Sequence, residues 1–337
     1  MNQAVKNTLK KFIANKTSSC KILVVGDIML DKYYYGEVTR ISPEAPVPIN
    51  HIIKTKETLG GAANVAHNLA LLGCQTSVIG FIGDDHHGET LVEKLLSRNI
   101  GYFDLVHTSR PTTTKIRIIG GHQQMLRLDF EDSSPFVGSD SNQLIENIKA
   151  QINDIHGIDS IIISDYGKGV CTEETCQKII KLCRKKKIAV IVDPKGNQWN
   201  KYSGANFITP NIKEINEVLT RPIRNVDSEV ETAARYVTKK FNIQSIIVTR
   251  SEHGLTIVDG EKVSHIKAKA QEVFDVSGAG DTVISVFTLA IAGAIDSISA
   301  AYLANLAASV VVAKVGTYAV SREELLKTLE IENLSDI

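Results

Sequence analysis

The sequence is short of the features that mark several protein classes. It holds five cysteines in 337 residues, an odd number with no CxxC pair, which argues against a disulfide framework or a zinc site and suits reduced thiols. Cys171, Cys176 and Cys183 cluster along one predicted helix, where they read as small buried apolar residues. Proline numbers 8, tryptophan 1, and aromatics make up only 6%; collagen-like and disordered compositions are excluded. Net charge is also missing. Thirty-eight basic residues offset 38 acidic ones, so nothing global points to nucleic acid or an anionic membrane as a partner. No apolar run approaches the roughly 18 residues needed to span a bilayer, and Met1 to Ser19 lack the apolar stretch of a secretory signal. The expected location is the cytoplasm.

What is present is ordinary globular usage, 43% hydrophobic and 23% charged. A chain of this length buries roughly 75% of its unfolded surface, and 1–337 is expected to form one large domain. Val- and Ile-rich runs at Lys21–Gly26, Ser77–Ile82, Ser160–Ser164, Ala189–Asp193, Asn206–Thr209 and Ser245–Thr249 read as buried strands. Amphipathic segments separate them: Ala62–Leu72, Glu89–Arg98, Asn142–Asp154, Glu173–Lys186, Lys213–Leu219 and Val230–Phe241. Apolar strands alternating with helices imply an α/β fold, a parallel sheet covered on both faces, with ligands at the carboxyl ends of its strands. Ala- and Val-rich Gly278–Gly293 and Ser299–Lys314 read as two further packed helices.

Two stretches break the alternation. Segments 33–54 and 112–130 contain extended runs, the second with Gly120-Gly121-His122 as a hairpin connection. They read as antiparallel strands forming a small β-sheet lid over the ligand edge; an edge extension of the main sheet is the plainer alternative.

The sharpest chemical feature is Asp275-Val276-Ser277-Gly278-Ala279-Gly280-Asp281-Thr282, which leads into a helix. Gly278 and Gly280 allow close backbone approach, and the amides of Gly278, Ala279 and Gly280 at a helix start suit an anion. Asp281 then stands where a phosphate and an incoming hydroxyl would meet, as a general base; a helix-capping carboxylate is the alternative. Gly60-Gly61-Ala62-Ala63-Asn64 is a second small-residue turn into a helix, with Asn64 either bonding a polyol or tying down the turn. Asn211-Ile212-Lys213-Glu214 places Asn211 and Glu214 on one face. They either orient magnesium waters and phosphate oxygens or form a plain helix cap.

Taken together, these blocks resemble the pfkB/ribokinase-type carbohydrate kinases. Gly61, Asn64, Gly73 and Gly83 match the spacing of the family's N-terminal signature, Asp275–Asp281 its second signature, and Asn211–Glu214 its N-x-x-E element, in the right order between about Lys21 and Gly316. Val286 departs from the small residue often found later in the second signature, a difference that bears on helix packing. The resemblance implies a ribokinase-like three-layer α/β/α sandwich, ATP and Mg²⁺ as cofactors, and Asp281 as the catalytic base. Glu214 would act near the metal, through water.

A narrower resemblance lies in Gly26–Asp31, Arg40–Pro48, Gln123–Asp129 and Ser164–Gly169. These stretches are similar to the branch phosphorylating O1 of D-glycero-D-manno-heptose 7-phosphate, toward ADP-heptose and lipopolysaccharide. Some relatives add a nucleotidyltransferase domain with an H-x-G-H motif. That motif is not found before Ile337, so the resemblance is to the stand-alone kinase. Asp31, Gly61 and Asn64 would face sugar hydroxyls, while Arg40, Lys115, Arg117, Lys168 and Lys195 are candidates for the 7-phosphate, each with a solvated surface role as its alternative. Asn211, Glu214, Thr249, Ser251, Gly254 and Asn305 would serve ATP; Gly254 and Asn305 also read as fold-supporting residues. Relatives pair through the lid, which implies a homodimer, and Tyr33-Tyr34-Tyr35 fits either such an interface or packing within one chain. Rival readings are another sugar kinase of the family and a catalytically silent sugar or nucleotide sensor. A nicotinamide-binding fold is disfavoured because Lys21–Leu30 lacks a GxGxxG turn.

Overall fold

The β-branched runs form the strands that their composition favours, and the amphipathic segments pack over them. The computed structural model describes residues 3–154, 157–269, 273–314 and 316–332; Ile337 lies outside them. In chain order the elements are α1 (Gln3–Asn15), β1 (Lys21–Gly26), β2 (Ile28–Ile41), β3 (Pro48–Gly61), α2 (Ala62–Leu71), β4 (Gln75–Ile79), β5 (Phe81–Gly83), α3 (His86–Leu96), β6 (Val106–Thr108), β7 (Thr114–Gly120), β8 (Gln123–Phe130), α4 (Ser139–Asn153), β9 (Ser160–Ser164), α5 (Glu173–Lys186), β10 (Ala189–Asp193), β11 (Phe207–Ile208), α6 (Ile212–Val218), α7 (Asp227–Phe241), β12 (Ser245–Thr249), β13 (Leu255–Asp259), β14 (Lys262–Ile266), α8 (Ala279–Ala292), α9 (Ser297–Val312) and α10 (Arg322–Ile331).

The main sheet has the order β14-β13-β12-β11-β10-β9-β1-β4. It is parallel from β12 to β4 and antiparallel at the β12–β13–β14 edge. Because side chains alternate along a strand, neighbouring residues feed opposite layers. Ile22, Val24, Ile162 and Ile191 join α1, α2, α8 and α9 in one apolar cluster, whereas Leu23, Val25, Ile161, Ile163 and Val192 join α4, α5 and α7 in the other. The result is the expected three-layer α/β/α sandwich. Val286 is buried within α8 in the first of these clusters, where it bears on helix packing alone.

A second sheet, β3-β2-β7-β8, stands outside the sandwich. Its strands reach further than segment 33–54, because β2 begins at Ile28 and β3 runs on to Gly61, while β7 and β8 lie within 112–130. Pairing is antiparallel for β2–β3 and β7–β8 but parallel for β2–β7, which corrects the wholly antiparallel expectation. A crossover through α2, β4 and α3 brings β7 back in the same direction as β2. Lys32 and Lys94 both reach Glu57, at 2.9 and 3.4 Å, fastening the root of this sheet to α3.

Other differences have local causes. The run Ser77–Ile82 is split at Gly80, where a Cβ would sit 2.5 Å from the Gly26 carbonyl, and β5 pairs separately with β6. The edge hairpin β13–β14 lies outside the expected strands, although Asp259-Gly260 between alternating apolar residues is a hairpin signal. Cys171 lies before α5 rather than in it, since Thr172 caps that helix; all five cysteines are free and buried. Arg184, Lys185, Lys186 and Lys187 are exposed at the end of α5. Among the described residues no helix is long and apolar enough to cross a membrane.

Candidate active site

The carboxyl ends of β9 to β12 open on a cleft lined by Asp165, Tyr166, Asp193, Lys195, Thr209, Asn211, Glu214 and Thr249, with Gly278, Gly280 and Asp281 closing it from α8. This is the edge of a parallel sheet at which ligands are expected. Gly278, in the left-handed region at φ 83°, starts α8, and no side chain caps that helix end. Gly278 and Gly280 at the start of this 14-residue helix line the cleft, where helix N–H groups favour an anion, while the Ala279 N–H donates to the Val276 carbonyl at 3.2 Å and Ala279 does not line the cleft.

Asp281 lies in the first turn of α8, yet its carboxylate turns away from the helix. Asn64 Nδ2 donates to Oδ2 at 2.5 Å and Tyr166 Oη donates to Oδ1 at 2.5 Å. Burial raises the Asp281 carboxyl above the ordinary carboxylate range, while the bonds from Tyr166 and Asn64 pull it down and the Asp31 charge adds to the rise. Burial, followed by the Asp281 charge, holds the Tyr166 phenol well above its usual range, so it stays a donor. Asn64 comes from the first turn of α2, entered through Gly61 at φ 56°, where a Cβ would lie 2.3 Å from the Asp27 carbonyl.

Asp31 continues β2 beside the cleft and accepts from Arg117 Nη1 at 2.6 Å. Arg117 also lies 5.1 Å above the ring of Tyr33, which stacks with Tyr35; two of the three tyrosines thus pack within the chain. Lys115 faces Asp31 in register across β2–β7. Burial, followed by repulsion from Lys168, lowers its pKa. Lys168 Nζ donates to Glu131 at 2.7 Å. Asp31, Lys115, Arg117 and Lys168 therefore gather on one side. Arg40 does not join them: it is exposed, nine residues further along β2, roughly 30 Å at strand rise.

On the opposite side, Asn211 and Glu214 form a full capping box on α6. Asn211 Oδ1 accepts the Glu214 N–H at 2.9 Å and Glu214 Oε2 accepts the Asn211 N–H at 3.0 Å. The cap is real, and it leaves Glu214 Oε1 to accept from Lys195 Nζ at 3.2 Å. Burial, with the nearby charges of Glu214 and Asp281, pushes the Asp193 carboxyl well up. Thr249 ends β12 in the same cleft. Ser251 is exposed in the turn that follows, at φ 52°. Gly254 closes that turn at φ 81°, where a Cβ would lie 2.0 Å from the Ile266 carbonyl. Asn305 is buried, and its Nδ2 donates to the Lys267 carbonyl at 2.8 Å, bracing the chain beyond β14.

Residue-by-residue reading missed Asp27, Tyr166, Lys201 and Tyr202. Asp165 accepts from the Gly167 N–H, Lys201 Nζ and Tyr202 Oη, and Asp27 binds the same turn from the other side. The available signal was Ser164-Asp165-Tyr166-Gly167 at the end of a buried strand.

Residues 20–324 match the profile described as pfkB family carbohydrate kinase. The bifunctional protein HldE of Methylobacillus flagellatus is 45% identical over 312 residues, 92% of this chain and 63% of that protein. The bifunctional protein HldE of Hahella chejuensis is 42% identical over 315 residues, 93% of this chain and 64% of that protein. The chain thus spans a little under two thirds of the length of these curated relatives. Among solved structures, phosphofructokinase-2 from Escherichia coli in complex with potassium gives a TM-score of 0.77 at 21% identity, covering 93% of this chain and 98% of that one. Arabidopsis thaliana ribokinase complexed with ribose and ATP gives 0.72 at 20% identity, over 92% and 99%. At these identities the structures speak for the ribokinase-like fold, and the profile match speaks for descent: the chain belongs to the pfkB family of carbohydrate kinases.

Proposed function

We propose that this chain transfers the terminal phosphoryl group of ATP to O1 of D-glycero-D-manno-heptose 7-phosphate, giving the 1,7-bisphosphate on a route to ADP-heptose and lipopolysaccharide. The observation that carries the reaction type is the buried Asp281 carboxylate at the uncapped start of α8, above the carboxyl ends of the parallel strands. Asp281 accepts the proton of the attacking hydroxyl as its oxygen bonds to phosphorus and the bond to the ADP oxygen breaks. Amides at Gly278 and Gly280 stabilise the charge that develops on the phosphoryl oxygens, and the Ala279 N–H joins them on leaving the Val276 carbonyl. Asp31 and Asn64 orient the sugar, with Gly61 letting the backbone approach, and Lys115, Arg117 and Lys168 answer the charge of a sugar phosphate. Arg40 remains a 7-phosphate candidate only in an arrangement that brings another copy's β2–β3 hairpin to the site.

The choice of heptose rests on the stretches Gly26–Asp31, Arg40–Pro48, Gln123–Asp129 and Ser164–Gly169, supported by 42–45% identity to the HldE proteins. Lys195, Asn211, Glu214, Thr249, Ser251, Gly254 and Asn305 make up the nucleotide side. Carboxylate oxygens suit a hard cation, but Glu214 Oε1 and Oε2 already accept from Lys195 and Asn211 and no cluster of three ligating side chains lies among the described residues; Glu214, with the Asp193 charge nearby, would hold Mg²⁺ through water. Bound magnesium supplies neutralisation of the phosphate oxygens. The protein is read as one kinase domain over 1–337 with the outer sheet as its lid, working in the cytoplasm as a homodimer. Exposed Ile53, Leu126 and Phe130, at 63%, 52% and 47%, give that sheet an apolar surface for a second copy.

The test is a substrate panel. ATP with the heptose 7-phosphate, fructose 6-phosphate and ribose is assayed in parallel for ADP release and sugar phosphorylation. Selective formation of the 1,7-bisphosphate supports the reading. Preferential turnover of another sugar discards the heptose and keeps the kinase, and ATP binding without any turnover favours a sensor.

A further inference from the structure

Asp27 sits between β1 and β2, 1% exposed, and its contacts run in two directions. Its carboxylate is wrapped by a single turn: Oδ2 accepts the N–H groups of Tyr166 at 2.7 Å and Lys168 at 3.0 Å, and Oδ1 accepts that of Val170 at 3.1 Å. Its backbone carbonyl accepts the Ala62 N–H at 2.9 Å, at the start of α2, while its own N–H donates to the Ser164 carbonyl at 3.1 Å. The turn carries Tyr166 and the helix start carries Asn64. These are the two side chains that hold the two oxygens of Asp281. We propose that Asp27 is a positioning residue that fixes both donors to Asp281, and so sets the direction in which that carboxylate faces the acceptor hydroxyl.

This inference rests on Asp281 being the base. Its chemistry follows from charge-assisted bonding: an ionised carboxylate accepting three N–H groups holds a turn more rigidly than a neutral amide can. In Asp27→Asn one oxygen becomes an NH₂ group directed at N–H donors, so the turn loses at least one bond and Tyr166 shifts. The bond from Ala62 to the main-chain carbonyl survives, which confines the change to the Tyr166 arm.

The experiment is a double-mutant cycle of Asp27→Asn and Tyr166→Phe, reading kcat and the KM for ATP with the acceptor that the panel identifies. Each single variant is expected to lose roughly 10-fold or more in kcat with the KM for ATP within about threefold, because the contacts act on the base. The double variant is expected to fall no more than about twofold below Asp27→Asn. Losses that multiply would overturn the positioning role. Should Asp27→Asn fail to fold, Asp27→Glu takes its place in the cycle, keeping the charge and moving it by one methylene. Amide hydrogen exchange on unliganded protein needs no acceptor: faster exchange of the 166–170 turn in Asp27→Asn is expected, and unchanged exchange there contradicts the proposal. Asp281→Asn run alongside separates the failures. Retained turnover in it overturns the base; lost turnover with multiplying Asp27 and Tyr166 effects overturns the positioning alone.

Discussion

Asn64 and Asp281, 217 residues apart in the chain, meet through a 2.5 Å hydrogen bond from the Asn64 amide to Asp281 Oδ2. The contact joins the first turns of α2 and α8, the two helices that begin with the small-residue blocks. It also ties the two signatures of the family into one device: an amide that steadies a buried carboxylate in its charged form.

Removing that amide has a signed consequence. The Asn64 bond lowers the Asp281 pKa against the rise that burial causes, so Asn64→Ala should raise it further. A base acts as carboxylate, and its activity is lost as pH falls through its pKa. The acid limb of the kcat–pH profile should therefore be displaced upward from that of an ordinary carboxylate in the natural protein and move further up in Asn64→Ala. An acid limb that stays in place in the variant contradicts the assignment.

Asp27 makes a second pH prediction, in stability. Burial, followed by the charge of Asp165, pushes its carboxyl up to about 6 from 3.8, against the N–H groups of Lys168, Tyr166 and Val170. Arg110, Asp132 and Lys168 line the small cavity beside it. A carboxyl raised in the folded state binds more protons there than in the unfolded chain, so its contribution to stability is present at low pH and lost as pH rises from about 4 to about 6. Asp27→Asn should remove that descent, worth ~3 kcal/mol at most. Thermal melts of both proteins across this window measure it; parallel curves would show that Asp27 does not titrate there.

Gly254 closes the turn after β12, at the start of the proposed nucleotide side. With φ 81° and the Ile266 carbonyl 2.0 Å from an added Cβ, Gly254→Ala should cost about 2–4 kcal/mol, combining left-handed strain with a backbone clash. Urea titration reads the loss, and a change under 1 kcal/mol (order of magnitude) would show that the turn relaxes freely.

The apolar face of the outer sheet predicts association. Leu126→Glu or Ile53→Glu should convert a dimer to a monomer in sedimentation velocity, since a buried unpaired carboxylate opposes pairing. A species unchanged in mass by both substitutions would place the contact elsewhere.

Much of this was legible in the sequence because local rules and tertiary needs agree. β1, β9, β10 and β12 begin and end where the Val- and Ile-rich runs do, since strands buried on both faces need unbroken apolar character. Asp281, Asn64 and Glu214 stood out because glycine-rich turns and helix starts mark close backbone approach. Tyr166 did not: a tyrosine beside a strand end acquires its role only when α8 places Asp281 against it, and no spacing encodes a contact 115 residues away. Asn211 had two open readings for a physical reason. One capping box satisfies α6 with Glu214 Oε2 and still leaves Oε1 facing the cleft. Arg40 carries the right charge for a phosphate, yet β2 takes it away from Asp31.

The most direct test of the account is single-turnover phosphoryl transfer from labelled ATP to the heptose 7-phosphate by the natural protein and by Asp281→Asn. The account predicts folded protein, ATP affinity within a few fold, and a transfer rate lower by roughly 10²-fold or more. A variant that binds ATP and transfers at close to the natural rate would contradict it.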